Sequence, residues 1–316
     1  MDSIIRVNHL VKRYKKSERP AVDGISFDVK EGEFFAFLGP NGAGKTTTIS
    51  ILTTTLAMTG GSVEIAGYDL EKEAKQVRRQ VGIIFQNPSL DLELTAEENI
   101  RLHVSIYGLY GYRPFYRMMP AAYKRRIEEL AEIVGIHDNL FKRVKTFSGG
   151  MKRKLEIIRS LMHKPKILFL DEPTQGLDAS ARRSLWDYLQ KVRKEENITI
   201  FLTTHYLDEA EGADRVCMIH RGKVALLGTP EEIKTRLLGE KFMLLDAEDR
   251  QGLKAELSAL QVPYTETEEH LKVVYRERTP QRLLSGLTIP LKKLDVHQPT
   301  LEEAYLNLVE KGEDAR

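Results

Sequence analysis

Gly39-Pro40-Asn41-Gly42-Ala43-Gly44-Lys45-Thr46 is the stretch from which the rest of the chain can be read. It has the spacing of a phosphate-binding loop: Gly, four residues, then Gly-Lys-Thr. Before it, Phe34-Phe35-Ala36-Phe37-Leu38 is a short apolar run bounded by Gly32, as in a buried strand. After it, Thr46 to Leu56 reads as a helix. Glycines let backbone N–H groups close around an anion without Cβ interference. The helix N-terminus adds positive potential. Lys45 is placed to reach β- and γ-phosphates, and the Thr46 hydroxyl to bind Mg²⁺, with Thr47 beside them. The fixed positions and both flanks agree, which a chance lysine in a glycine-rich turn would not produce.

Around this loop the pattern is α/β. Residues Ile4 to Tyr14 read as an opening strand, and Ile25 to Val29 alternates like a half-buried one. Gly60-Gly61 reads as a turn into the strand Ser62 to Ile65. A polar helix, Lys72 to Gln80, leads to the buried strand Val81 to Phe85, with Gln86 directly after it. From Leu94 to about Lys164 the β pattern gives way to helices. Thr95 and Glu98 form a capping box. Arg126 to Val134 is amphipathic through Ile127, Leu130, Ala131 and Val134. A third helix runs from Gly150 to His163. Strands resume at Ile167 to Leu170 and at Ile198 to Thr203, either side of a helix over Ser180 to Glu195. Short helices follow at Asp208 to Ala213 and Glu231 to Leu238, separated by a hairpin across Arg221-Gly222. From 239 to 316 the character changes to a small α+β appendage. Its strands are expected at Phe242 to Leu245 and Leu271 to Tyr275, and its helices over Gln281 to Leu287 and from Thr300 onward.

Composition narrows the function classes. Hydrophobic content of 41% and charged content of 30% are ordinary for a globular protein. A net charge of +2 gives no bulk electrostatic case for nucleic acid. One cysteine, Cys217, cannot form an intrachain disulfide and fits a reducing compartment. No run approaches the ~18 apolar residues of a membrane span, and Met1 to Arg6 does not resemble a signal peptide.

Two further groups carry chemistry. The apolar strand Leu168-Phe169-Leu170 ends in Asp171, a candidate metal-side carboxylate, and Glu172 follows, placed to polarise water. Alone, such a pair is an ordinary strand end; with a phosphate loop earlier in the chain it becomes a site. Ser148-Gly149-Gly150 at a helix start offers a second anion site, where most such triplets are only caps. Lys152, Arg153 and Lys154 crowd the first turn, where the helix dipole disfavours cations, unless an anion docks there.

Together these motifs resemble the ATP-binding subunit of an ABC transporter, over about residues 4–235 and in the family's order. They are the loop 39–46, Gln86, Ser148-Gly149-Gly150, Asp171-Glu172, Gly176-Leu177-Asp178 and His205. The resemblance implies a P-loop NTPase, RecA-like, with a parallel-sheet core, an antiparallel β subdomain and a helical insertion. The expected domains are an ATPase domain at 1–238, with its insertion at about 94–164, and an accessory domain at 239–316. It also implies ATP and Mg²⁺ as ligands, with Tyr14 stacking on adenine. Gln86 would touch Mg²⁺ and water, Asp178 would couple two sites, and His205 would contact the γ-phosphate. The family works as a head-to-tail dimer in which Ser148-Gly149-Gly150 of one copy closes on ATP held by the other. A multi-span permease partner and a peripheral place on the cytoplasmic face of the membrane follow, with no nucleic acid.

Phe147 and Met151 stand where the family usually has Leu and Gln. That variant, and Pro299-Thr300-Leu301-Glu302-Glu303-Ala304-Tyr305, resemble the daunorubicin-resistance-type exporters. Soluble ABC proteins acting on ribosomes or DNA are the contrasting class. They usually carry two ATPase domains or long coiled coils, and this chain has one phosphate loop and no sustained heptads. A binding module that no longer hydrolyses is opposed by Glu172 and His205. The stretch from Gly108 to Pro120 combines Tyr110, Tyr112, Phe115, Tyr116, Met118 and Met119 with Arg113 and Arg117. It suits a permease contact, local aromatic packing, or a membrane surface.

Overall fold

A computed structural model describes residues 2–15, 17–86, 89–238, 241–275, 279–297 and 300–306. The chain divides into two compact units, Met1–Glu209 with Ala213–Leu227, and Ala210–Gly212 with Gly228–Arg316.

The first unit contains strands β1 (Ser3–Lys12), β2 (Val22–Lys30), β3 (Phe34–Leu38), β4 (Gly60–Ile65), β5 (Tyr68–Asp69), β6 (Val81–Ile84), β7 (Ile167–Asp171), β8 (Thr199–Thr204), β9 (Arg215–His220) and β10 (Lys223–Gly228). Its helices are α1 (Lys45–Leu52), α2 (Ala74–Gln80), α3 (Ala96–Ile106), α4 (Ala121–Val134), α5 (Gly149–Leu161), α6 (Ala179–Glu196) and α7 (Leu207–Ala210). One sheet runs β10-β9-β3-β8-β7-β6, and β9, β3, β8, β7 and β6 pair in parallel. A second, antiparallel sheet runs β2-β1-β4-β5.

β3 is buried along its whole length, as a central parallel strand must be. On one face Phe35 and Phe37 join Phe27, Phe169 and Phe201; Phe201 lies 5.5 Å from Phe35 and 5.2 Å from Phe169, centroid to centroid. On the other face Phe34 meets Trp186 at 5.5 Å. This aromatic layer fixes the ends of β3, β7 and β8 against one another, and those three ends carry the chemistry described below.

Several element ends differ from the sequence expectation, each for a local reason. α1 stops at Leu52, not Leu56, because Thr53 turns its hydroxyl back to the Ile49 carbonyl and Thr54 takes φ +61°. β1 ends at Lys12, so Tyr14 lies beyond the strand. Gly60 and Gly61 belong to β4; a Cβ on Gly61 would come within 2.4 Å of the His9 carbonyl, so glycine permits the close strand approach. α4 begins directly after Pro120, five residues before Arg126, and ends at Gly135 in the left-handed region. The Thr95–Glu98 capping box forms in both directions, at 3.2 and 2.8 Å.

The second unit has helix α8 (Pro230–Leu238), β11 (Phe242–Ala247), α9 (Arg250–Ala259), β12 (Tyr264–Glu266), β13 (Leu271–Val274), α10 (Pro280–Leu284) and β14 (Leu291–His297). Its sheet is antiparallel, in the order β12-β13-β11-β14. Leu253, Leu257 and Leu283 from the helices join Met243, Leu245, Leu271 and Val273 in a separate core. Residues 301–306 are helical, and Thr300 and Glu303 exchange capping bonds of 3.4 and 3.2 Å. Gly239, Pro299 and the expected helix beyond residue 306 lie outside the described residues. Among the described residues no helix is long and apolar enough to cross a membrane.

Candidate active site

The loop after β3 wraps the start of α1. Gly44 sits at φ 108°, and a Cβ there would come within 2.5 Å of the Ala21 carbonyl, so only glycine fits. Lys45 donates from Nζ to the carbonyls of Gly39 at 2.7 Å and Pro40 at 3.3 Å. Burial pulls its pKa down, and the carboxylates of Glu172 and Asp171 push it back up. Pro40, Asn41, Gly42, Gly44, Lys45, Thr46 and Thr47 line a cleft of about 480 Å³. Ala43 turns instead into the core, and Gly39 is buried beneath the lysine. Tyr14 is half exposed, and its hydroxyl lies 3.3 Å from Thr47 Oγ1, so it stands at the rim of the loop.

β7 delivers the carboxylates. Asp171 is only 5% exposed, and Thr203 Oγ1 on β8 donates to its Oδ1 at 2.5 Å. Burial raises the Asp171 pKa, and the Thr203 hydrogen bond works against that. Glu172 then leaves the strand at φ +46°, a left-handed conformation unfavourable for a side chain. It is held there by its own N–H, donated to the Thr203 carbonyl at 2.9 Å. The twist puts its carboxylate in the cleft between two partners. Oε1 lies 3.3 Å from His205 Nδ1, and Oε2 accepts from Gln86 Nε2 at 3.4 Å. Gln86 Nε2 also donates to Gln175 Oε1 at 2.6 Å. Gln86, Glu172, Gln175 and His205 thus close the wall of the cleft opposite the loop.

The remaining expected residues lie elsewhere. Ser148 caps α5, accepting from Met151 N at 3.3 Å, and Asp178 caps α6, accepting from Ala181 N at 2.8 Å. Ser148, Gly150 and Asp178 line a second cleft of about 350 Å³ with Met151, Lys154 and Leu177, and a Cβ on Gly149 would touch Leu177. None of Ser148, Gly149, Gly150 and Asp178 lines the loop's cleft.

Arg153 lines neither cleft. It is buried, donating to the carbonyls of Pro173 at 2.7 Å and Phe85 at 2.6 Å and pairing with Glu156 at 2.8 Å. It ties α5 to the turns that carry Glu172 and Gln86. Glu209 is a second buried brace. It accepts the hydroxyls of Thr174 and, at 2.7 Å, Thr204, and so joins the turn after Glu172 to the turn before His205. Gln175, Thr203 and Glu209 escaped the sequence reading because each acts through a neighbour, and Arg153 was read there as a cation of the anion site rather than as a brace; only Gln175, three places past Glu172, carried a positional hint.

The 108–120 stretch divides. Met119 is buried, Tyr110 meets Tyr123 edge-on at 5.7 Å, and Tyr116 packs on Phe141 at 5.1 Å and donates to Glu128 at 2.8 Å. Tyr112, at 69% exposure, and Phe115, at 55%, project outward.

The family described as "ABC transporter" matches residues 22–175. The daunorubicin/doxorubicin resistance ATP-binding protein DrrA of Streptomyces peucetius is 35% identical, over 99% of this chain and 94% of its own. The chain belongs to the ABC transporter ATP-binding family. It is an ATP-binding cassette and an ATPase. The linearmycin resistance ATP-binding protein LnrL of Bacillus subtilis (strain 168) is 33% identical, over 96% of this chain and 98% of its own. Among solved structures, a dimeric ATP-binding cassette in a post-hydrolysis state with ADP and Pi superposes with TM-score 0.62 at 26% identity. That match covers 71% of this cassette and 98% of the other chain.

Proposed function

We propose that this cassette drives a daunorubicin-resistance-type (ABC-2) exporter, hydrolysing ATP in a head-to-tail dimer on the cytoplasmic face of a membrane beside a separate permease subunit. The observation that carries it is the pair of clefts. One holds the phosphate loop, Glu172, Gln86 and His205; the other holds Ser148, Gly150 and Asp178. Neither is a complete nucleotide site, and a second copy reversed against the first would supply each with the other. The resistance proteins it resembles, DrrA and LnrL, support an exported, drug-like substrate class.

In this reading the loop amides and Lys45 hold the phosphates, and Tyr14 at the rim stacks on adenine. Thr46, Gln86 and Asp171 offer an all-oxygen donor set with one carboxylate, which fits Mg²⁺ shared with substrate phosphates better than a protein cage. Bound there, Mg²⁺ would supply charge neutralisation on the β- and γ-oxygens. Glu172 accepts a proton from the attacking water, oriented by Gln86 and His205 on either side. Asp178, beside Ser148, carries the state of one site to the other.

Ser148→Arg tests the dimer. The substitution puts bulk into the second cleft, away from the loop. ATP binding should persist while ATP-dependent dimerisation, followed by light scattering, is lost. A Ser148→Arg protein that still dimerises on ATP would overturn the sandwich.

A further inference from the structure

The helical insertion carries an unusual charge pattern. From Asn99 to Ile127 there is no Asp or Glu, yet the stretch contains Arg101, Arg113, Arg117, Lys124, Arg125 and Arg126. Two of these are used internally: Arg101 binds Glu97 at 3.0 Å, and Arg126 binds Glu196 at 2.7 Å. Among the described residues no carboxylate pairs with Arg113, Arg117, Lys124 or Arg125. Arg117 lies over the Phe115 ring at 5.3 Å, and Lys124 donates to the Arg117 carbonyl at 3.0 Å. On α4, Glu129 pairs with Arg126 and Glu128 accepts the Tyr116 hydroxyl.

The loop is also tethered to the helices beneath it. Arg101 Nη1 donates to the Arg113 carbonyl at 2.6 Å, and Arg101 is itself fixed by the buried Glu97, which accepts the Tyr123 hydroxyl at 3.0 Å. Met119 and Tyr116 pin the far side. Tyr112 and Phe115 flank the pinned carbonyl and stand out into solvent, with Ile106, Tyr107 and Met118 also exposed. The ordering cost of displaying these side chains is met within the fold.

We propose that this loop is a membrane-surface element that seats on anionic lipid headgroups. Aromatic rings beside arginines are the side chains that settle at the water–lipid boundary, ring inward and cation at the phosphates. These residue types also suit a protein hot spot. The charge separates the two: four cations without a paired carboxylate, on and beside an exposed loop, complement a broad, uniformly negative surface. The inference goes beyond the export assignment, because it concerns the isolated chain and neither needs nor tests a permease.

The test is flotation of the full chain with vesicles of phosphatidylcholine alone or mixed with phosphatidylglycerol. Binding should require phosphatidylglycerol and weaken as salt rises. Arg113→Gln with Arg117→Gln should lower partitioning by about fivefold per arginine. Tyr112→Ser with Phe115→Ser should lower it by a comparable factor, and both pairs should leave Tm and ATP binding unchanged, since these side chains are exposed. Absence of phosphatidylglycerol-dependent binding would overturn the proposal. So would vesicle binding that both double variants retain, and retention together with lost co-purification of membrane proteins would assign the loop to a protein partner.

Discussion

At the scale of single residues, the candidate active site depends on one unfavourable backbone conformation. Glu172 adopts φ +46° because β7 must end its ladder at Asp171 and still turn the next carboxylate into the cleft. Thr203 supports both residues, its hydroxyl bonding Asp171 and its carbonyl the Glu172 N–H. The two acids are adjacent in sequence but meet different surroundings, one buried and one reaching Gln86 and His205. Glu172→Gln keeps the shape and the Gln86 contact region while removing the proposed base. Turnover should fall by about 10²–10⁴, the usual reach of general-base catalysis, with nucleotide affinity retained. Phosphate release and equilibrium nucleotide binding, measured on the same preparation, check this; turnover within a factor of about two of the parent would remove Glu172 from that role. The acids were legible in the sequence because an apolar strand ending in Asp-Glu is a linear pattern. Thr203 and Glu209 were not, because their partners come from other strands and turns, and a hydroxyl in a buried strand has no distinctive spacing.

At the scale of elements, periodicity found most helices and strands of the first unit, and it failed where side chains interrupt the backbone ladder. The threonines Thr53, Thr54 and Thr55 end α1 early, and no apolar period reports that. In the second unit α9, β12 and β14 were unforeseen. α9 buries only Leu253 and Leu257, and β14 is largely exposed, so neither shows a strong alternation. The helical insertion has a pH sensitivity of its own. His103 on α3 lies against Tyr107, tilted, at 4.3 Å, and its Nε2 has no hydrogen-bond partner among the described residues. Burial, with Arg159 and His163 nearby, lowers its pKa from 6.5 to about 3. His163, on the other side of Tyr107, is also lowered, by burial. Unfolding restores the ordinary value, so below pH 6.5 the unfolded chain binds more protons than the folded one. Stability is therefore fully present above pH 6.5 and is lost as pH falls toward 3, by at most about 1.4 kcal/mol per unit for a single partly buried histidine. His103→Phe should flatten the fall of Tm between pH 7 and pH 5, while an equally steep profile would show that His103 is not its source.

At the scale of the whole molecule, the two units set where the chain can be cut. Every residue lining the phosphate-loop cleft, from Ala21 to His205, belongs to the first unit. That unit also contains all six strands of the sheet that carries β3, up to Leu227. The sequence suggested a boundary at 238/239, where composition changes, but helix α8 groups with the second unit. Inside that unit Lys234 of α8 donates to Glu211 at 2.9 Å, and Glu211 also accepts the Leu301 N–H at 2.8 Å. α8 buries Pro230 and Ile233. A chain ending at Leu238 therefore keeps this helix but loses the strands and the 300–306 segment of its unit. A chain ending at Leu227 carries no such remnant. Both should bind ATP with the affinity of the full chain, because no cleft residue is removed. The Leu227 form should melt higher and aggregate less than the Leu238 form, since it does not leave the apolar face of α8 without its core. Nucleotide titration and thermal denaturation of the two truncations against the full chain decide it. If the Leu238 form is the more stable, α8 folds with the ATPase unit and the compositional boundary is the physical one. If neither truncation binds ATP while both stay folded, the second unit shapes the nucleotide cleft, and the separation of roles between the two units is wrong.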